Sequence, residues 1–202
     1  MSLDYILLGL LREPASGYDL KGILGKGIGN FWAAELSQIY PTLRRLEKQR
    51  FLKSRRIASK RGPSRVVYET TAAGHAELAA WLQGGPQFQD MRHIFLAQIY
   101  LMDELCDLKQ TLQFFENLRM RWAFRLEGLK CVEKEWARRD PLFPDRLSSE
   151  SFHRHLTLRM GLHSYRGWLT WCEESIRRIQ ARMQQEAATN AGASRVGDDT
   201  FL

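Results

Sequence analysis

Residues 35–71, ELSQIYPTLRRLEKQRFLKSRRIASKRGPSRVVYETT, restrict the fold of this chain more than any other stretch. Leu36, Ile39, Leu43 and Leu46 recur every three or four residues, the spacing of one helix face. Ser37, Gln38, Pro41, Arg44, Arg45 and Lys48 lie on the other face. From Arg44 to Arg65 there are ten Lys or Arg side chains and a single acid, Glu47, within 22 residues. The apolar stripe has to be buried. The charges cannot follow it inside without partners, so the stretch must show a basic face to water or to an anionic partner. A short basic helix beside a basic ribbon suits the major groove of duplex DNA, which admits a helix between walls of phosphate.

The flanking residues give that helix its setting. LDYILLGLLR, residues 3–12, predicts a helix buried on most sides and stopped before Pro14. Ser16 caps a second helix, GYDLKGILGKG, with Asp19 in its first turn. Gly25, Gly27 and Gly29 follow without a preceding strand. They fit neither the P-loop nor the dinucleotide fingerprint, so a helix–helix connection is expected. Pro41 is tolerated only near a helix start, so the third helix is expected to begin around Glu35 and to bend there. Two strand-like runs come next, Phe51–Ile57 and the β-branched and aromatic Arg65–Thr70, with Gly62 and Pro63 in the polar turn between them. Three helices followed by a hairpin form a winged helix-turn-helix, with a recognition helix over about 35–49 and a basic wing over 51–70. Thr71 caps a further helix with Leu78, Trp81 and Leu82 as its apolar face. Gly84, Gly85 and Pro86 then break the chain.

The C-terminal half changes character. Residues 88–104 are dense in apolar side chains and predict a helix buried on more than one side. Asp107 caps a long helix to about Arg138, with Leu108, Leu112, Phe115, Trp122, Leu126, Leu129 and Trp136 as its stripe. A last helix is expected from about Ser149 to Gln185. The fold class expected is therefore mainly α with a small β-hairpin wing. It comprises a winged helix-turn-helix DNA-binding domain over 1–84, an α-helical dimerisation domain over 85–186 and a flexible tail over 187–202. Pairing through the long helices would set two recognition helices one turn of DNA apart; folding back on each other in a monomer is the alternative.

Charge placement supports that division. Residues 1–85 hold 13 basic and 7 acidic side chains, whereas the remainder holds 17 and 16. An anionic partner for the N-terminal part follows, nucleic acid first and an acidic membrane surface second. No apolar run reaches the roughly 20 residues of a membrane span, and the first residues lack a basic leader, so a cytoplasmic location is expected. Cys106, Cys131 and Cys172 are far apart and read as free thiols. His153 and His155 point about 200° apart on a helix and His163 about 80° from His155, so no metal is expected. Without a nucleophile–base constellation or a cofactor loop, neither an enzyme nor a cofactor is expected. The other readings are a helical protein-interaction adaptor and a peripheral membrane protein using the basic N-terminal face.

At this point the motifs resemble a family. ILLGLL and SGYDL, then QIYPTLRRLEKQRFL, then RGPSRVVYETTAAGHAEL occur in this order within residues 3–82 and resemble the PadR family of transcriptional regulators. FLAQIYLM and RMGLHSYRGWLTWCEESI are similar to the longer subgroup with a virulence-activator-like α-helical domain. The resemblance implies a homodimeric repressor on a pseudo-palindromic double-stranded operator, released by a small effector or by signalling. The family's recognition pattern maps onto Gln38, Tyr40, Pro41, Thr42, Arg44 and Arg45, and its wing pattern onto Arg61 and Arg65. Arg50 departs from it, standing where the family usually has glycine. It is expected to adopt a left-handed conformation unless the helix ends differently.

The candidate DNA-facing residues are thus Tyr18, Ser37, Gln38, Tyr40, Pro41, Thr42, Arg44, Arg45 and Lys48, with Lys60, Arg61 and Arg65 on the wing. The Tyr40 ring can pack while its hydroxyl reaches a phosphate; simple packing is the alternative. Trp122, Trp136, Trp168 and Trp171 are candidates for a pocket holding a small aromatic effector. The competing reading is that they fill the core and the dimer seam.

Overall fold

The computed structural model describes residues 2–25, 31–32, 34–58, 64–88 and 92–196, with side chains as far as Thr189. The chain divides into two compact units, Met1–Asp90 and Met91–Leu202.

The first unit is built on α1 (Ser2–Leu10), which ends four residues before Pro14. Leu7, Leu8 and Leu11 are completely buried. α2 (Gly17–Ile23) starts with a reciprocal cap: Asp19 N donates to Ser16 Oγ (3.2 Å), and Ser16 N donates to Asp19 Oδ2 (3.0 Å). α3 (Leu36–Lys48) turns Ile39, Leu43 and Leu46 into the same core, with Leu36 partly covered. It therefore begins where Pro41 required, directly after Glu35. Its end is a Schellman motif: Arg50 N donates to Glu47 O and Phe51 N to Leu46 O, which satisfies two of the last carbonyls. Arg50 sits at φ 64°, the left-handed conformation that its position demands. A residue other than glycine costs roughly 1 kcal/mol there.

β2 (Leu52–Ile57) and β3 (Arg65–Thr70) pair antiparallel, from Leu52 opposite Thr70 to Ile57 opposite Arg65. The expected two-stranded ribbon is in fact a three-stranded sheet, because β1 (Ala15–Ser16) adds to the other edge of β3. Two residues are too few to show the alternation that marks a strand in sequence. Thr70 fastens the sheet to α1, its amide donating to Leu11 O (2.9 Å) and its hydroxyl to Leu8 O (2.8 Å). α4 (Ala72–Gln83) is capped by Thr71, whose hydroxyl accepts from Gly74 N. Gly74 is required there, since a Cβ would lie 2.3 Å from Phe51 O. The apolar face of α4 consists of Leu78 and Trp81. Leu82, expected with them, is 61% exposed, because each helical step turns 100° and carries it past the core.

The second unit holds α5 (Ile94–Tyr100), a 3-10 turn at Met102–Leu105, α6 (Leu108–Arg139) and α7 (Ser149–Val196). Asp107 caps α6 as expected, accepting from Lys109 N at 2.8 Å. α6 and α7 run antiparallel, with Phe115 and Leu118 against Cys172 and Ile176 at one end and Leu126 and Leu129 against Leu158 and Leu162 further along. Two expectations are corrected. Among the described residues of the 88–104 segment there is a seven-residue helix and a 3-10 turn rather than a helix buried on several sides. Ile94, Tyr100 and Leu101 are 79%, 85% and 60% exposed, because a helix of two turns can set only one side against α6 and α7. The tail expected to be flexible over 187–202 continues α7 as far as Val196, and residues 197–202 lie outside the described residues. No described helix is long and apolar enough to cross a membrane.

Candidate nucleic-acid interface

α3 buries one side and presents the other. Ser37, Gln38, Tyr40, Pro41, Arg44 and Lys48 are exposed, as is Tyr18 in the first turn of α2. Gln38 is partly committed, because its Oε1 accepts from Glu35 N (3.1 Å). An amide donor can be met only by the carboxamide oxygen, so the Gln38 NH2 is the group left to reach outward.

Two candidates are placed elsewhere. Thr42 is 5% exposed, and its hydroxyl donates to Gln38 O at 2.8 Å. It cannot face DNA. It lies three residues after Ile39 and four before Leu46, so the spacing itself assigns it to the buried stripe. Arg45 sits at the edge of the helix and is held by Asp4 of α1 at 2.5 Å, with Asp4 itself mostly covered. Its guanidinium joins α3 to α1 and does not lie free on the outer face.

On the wing, Arg65 is exposed and 3.7 Å from Asp19 Oδ2. Lys60, Arg61 and the Gly62–Pro63 turn lie outside the described residues, as do Gly27 and Gly29. Arg55 and Arg56 on β2 are exposed and have no acidic partner within 4 Å among the described residues. Arg56 shares the β2 face of Ser54, which bonds Glu47 of α3, whereas Arg55 points to the opposite face of the strand. The sequence counted both arginines in its charge excess, yet loose alternation on β2 did not single them out as contacts. The acids beside the interface bind selected cations: Glu35 holds Lys21 at 2.8 Å, and Glu69 holds Lys53 at 3.1 Å.

Asp19 is the most engaged of these acids. The Ser16 amide first, then the Ser16 hydroxyl, with a smaller pull from Arg65, hold its carboxyl below the usual range. A carboxylate lowered by folding stabilises the fold above its unfolded pKa of about 4, and that contribution is lost as pH falls through the folded value.

The aromatic residues of the second unit separate into two groups. Trp122 and Trp168 have ring centroids 4.6 Å apart, Phe95 lies 5.6 Å from Trp122 and 6.3 Å from Trp171, and Tyr165 is 5.8 Å from Trp122. Trp122 Nε1 is buried without a partner among the described residues. Trp136 does not join them. It is 14 residues from Trp122 on α6, about 21 Å along the axis. Its ring instead meets Phe143 and His155. With Cys131, Val132, Glu135 and Arg139 it lines an open groove of about 580 Å³. A single small ligand therefore cannot touch all four tryptophans.

Comparison with known proteins agrees with this layout. Residues 6–80 match the transcriptional regulator PadR-like family, and residues 91–180 match the virulence activator alpha C-term family. The negative transcriptional regulator PadR of Bacillus subtilis is 29% identical over 179 residues, covering 88% of this chain and 97% of its own. Its crystal structure in complex with operator DNA superposes with a TM-score of 0.76 at 26% identity, over 89% of this chain and 99% of that one. The same protein in complex with p-coumaric acid gives 0.69 at 27% identity, over 88% and 95%.

One expectation follows from the cap. The stability gap between the native chain and Asp19→Asn, measured by urea denaturation, should be largest near pH 7 and shrink towards pH 3. A gap that stays constant would show that the carboxylate's charge contributes nothing.

Proposed function

We propose that this chain, a PadR-like transcriptional regulator with a longer C-terminal domain, works in the cytoplasm as a dimeric, sequence-specific repressor. α3 enters the major groove, and the β2–β3 wing rests on the phosphate backbone. The observation that carries this reading is the exposed set of Arg44 and Lys48 on α3 with Arg56 on β2, none of them within 4 Å of a carboxylate among the described residues, on a helix whose other face is fixed in a core. Solvated charge alone would not need the rigid support of a buried stripe. The DNA-bound relative has the same fold over nearly its whole length. A helical adaptor or a membrane-surface protein explains the basic face less well, since neither calls for a helix shaped to a groove.

Dimerisation rests on the second unit. α6 and α7 bury one stripe against each other, yet each keeps large apolar side chains outside. Phe124 is 78% exposed, Met120 59% and Met160 67%, and α5 adds Ile94 and Tyr100. Surfaces of this kind mark protein contacts. A second copy is the occupant that a regulator of a two-fold operator requires.

The Trp122, Trp168 and Trp171 cluster with Phe95 is the proposed site of a small aromatic effector. Flat rings stack between aromatic faces, and the unpartnered Trp122 N–H could donate to a ligand oxygen. The p-coumaric acid complex of the Bacillus subtilis relative supports the ligand class.

Four measurements test these statements. In an anisotropy titration with duplex from its own upstream region, about six phosphate contacts should cost roughly a thousandfold in affinity between 50 and 200 mM salt. Arg44→Ala should weaken binding about tenfold without lowering the melting temperature. Arg45→Ala should lower the melting temperature, because it strips Asp4 of its partner. Salt-independent binding would remove the electrostatic basis of the proposal. For the dimer, Phe124→Asp should sediment as a folded monomer, and an unchanged dimer would exclude α6's outer face from the interface. For the effector, titration with a phenolic acid should quench tryptophan fluorescence in the native chain and much less in Trp122→Phe. Equal quenching would place the ligand elsewhere.

A further inference from the structure

Gly17 opens α2, and its chemistry is that of a missing side chain. It is buried, and its φ is not in the left-handed region, so backbone freedom is not the reason for glycine. A neighbouring ring supplies the reason. A Cβ built on Gly17 would lie 2.6 Å from Tyr40 Cε1, 2.9 Å from Cζ and 3.2 Å from Cδ1. The far half of the Tyr40 ring thus lies directly on the backbone of α2, in space that any other residue would fill. Nonbonded carbons settle at about 3.5–4.0 Å, so a methyl group there displaces the ring by about 1 Å.

Tyr40 is on the presented side of α3 and is 40% exposed. Its ring is held over Gly17 while part of it remains at the surface, where Tyr18, 74% exposed, and Arg44 are exposed too. We infer that Gly17 is a positioning residue for DNA recognition: by having no side chain, it seats the Tyr40 ring so that the phenol hydroxyl reaches a backbone phosphate. The inference rests on the DNA-binding reading above and extends it to a residue that meets no DNA itself. A tyrosine bent back over a bare backbone loses rotamer freedom before binding. The hydroxyl is then already aimed when the duplex arrives, which lowers the ordering cost of the contact.

A neutral hydroxyl gives this contact a signature that an arginine would not have. It adds a hydrogen bond to a phosphate and releases no counterion, so its loss lowers affinity equally at every salt concentration.

The test uses the full-length chain and a labelled duplex selected by the native protein from a randomised pool. Gly17→Ala and Tyr40→Phe should each weaken binding about tenfold, the scale of one hydrogen bond to a charged acceptor, with the slope of affinity against salt unchanged. Gly17→Ala/Tyr40→Ala should bind as Tyr40→Ala alone does, because without the ring the methyl group has nothing to displace. Should Gly17→Ala unfold, the paired variant still decides the matter: the inference requires it to fold and to match Tyr40→Ala. Native-like binding by Gly17→Ala overturns the inference, as does a paired variant much weaker than Tyr40→Ala. A reduced salt slope in Gly17→Ala overturns it too, since that reports lost cations and a disturbed α3. A native chain that selects no duplex overturns the DNA-binding reading instead, which keeps the two failures apart.

Discussion

Everything in the DNA-facing unit hangs on the burial of α1. Leu7, Leu8 and Leu11 retain no exposure, and the core around them includes Ile39, Leu43 and Leu46 of α3, Tyr68 of β3 and Leu78 of α4. Each leucine contributes roughly 2 kcal/mol by leaving water. The carbonyls at the end of α1 would be unpaired inside that core, but Thr70 meets Leu8 O and Leu11 O. Residues at the start of α1 reach two further helices. Asp4 holds Arg45 of α3, while Tyr5 stacks on Trp81 of α4 at 4.6 Å and bonds Glu77. One short apolar helix therefore decides where the recognition helix and the wing stand.

The basic surface divides by partner rather than by residue type. Lys21, Arg45, Lys53 and Arg65 each have a carboxylate within 4 Å, whereas Arg44, Lys48, Arg55 and Arg56 have none among the described residues. Exposed ion pairs add little to stability. What they supply is placement: Glu35 links α2 to the start of α3, Asp4 links α1 to its end, and Asp19 links the cap of α2 to the base of β3. The remaining cations stand on α3 and β2, elements that these pairs help to hold in place.

The second unit shows the same division on a longer scale. α6 keeps its inward stripe from Leu112 to Trp136, about seven turns, against α7, and that interior contains Trp122, Trp168 and Trp171. Leu129 lies so close to Gly161 that a Cβ there would approach it to 2.8 Å. The two helices are thus in tight contact where Leu129 meets the first third of α7, and apolar side chains such as Phe124 are left outside.

Much of this architecture is legible in the residues themselves. The three-four spacing of Leu36, Ile39, Leu43 and Leu46, the caps at Ser16, Thr71 and Asp107, and the β-branched run at 65–70 are local signals, and each element forms where its signal lies. The left-handed Arg50 follows from the family resemblance, whose pattern has glycine at that helix end. Thr42 could have been placed by the same spacing that placed its neighbours. Other features are decided by residues distant in sequence. Arg45 is withdrawn from the outer face by Asp4, 41 positions away; β1 exists only because β3 offers it an edge; Trp136 is separated from the other tryptophans by the rise of α6; and Tyr40 is seated by an absence at Gly17. Periodicity states which way a side chain points. Only the packed chain states what waits there, because that depends on elements brought together by burial rather than by sequence order.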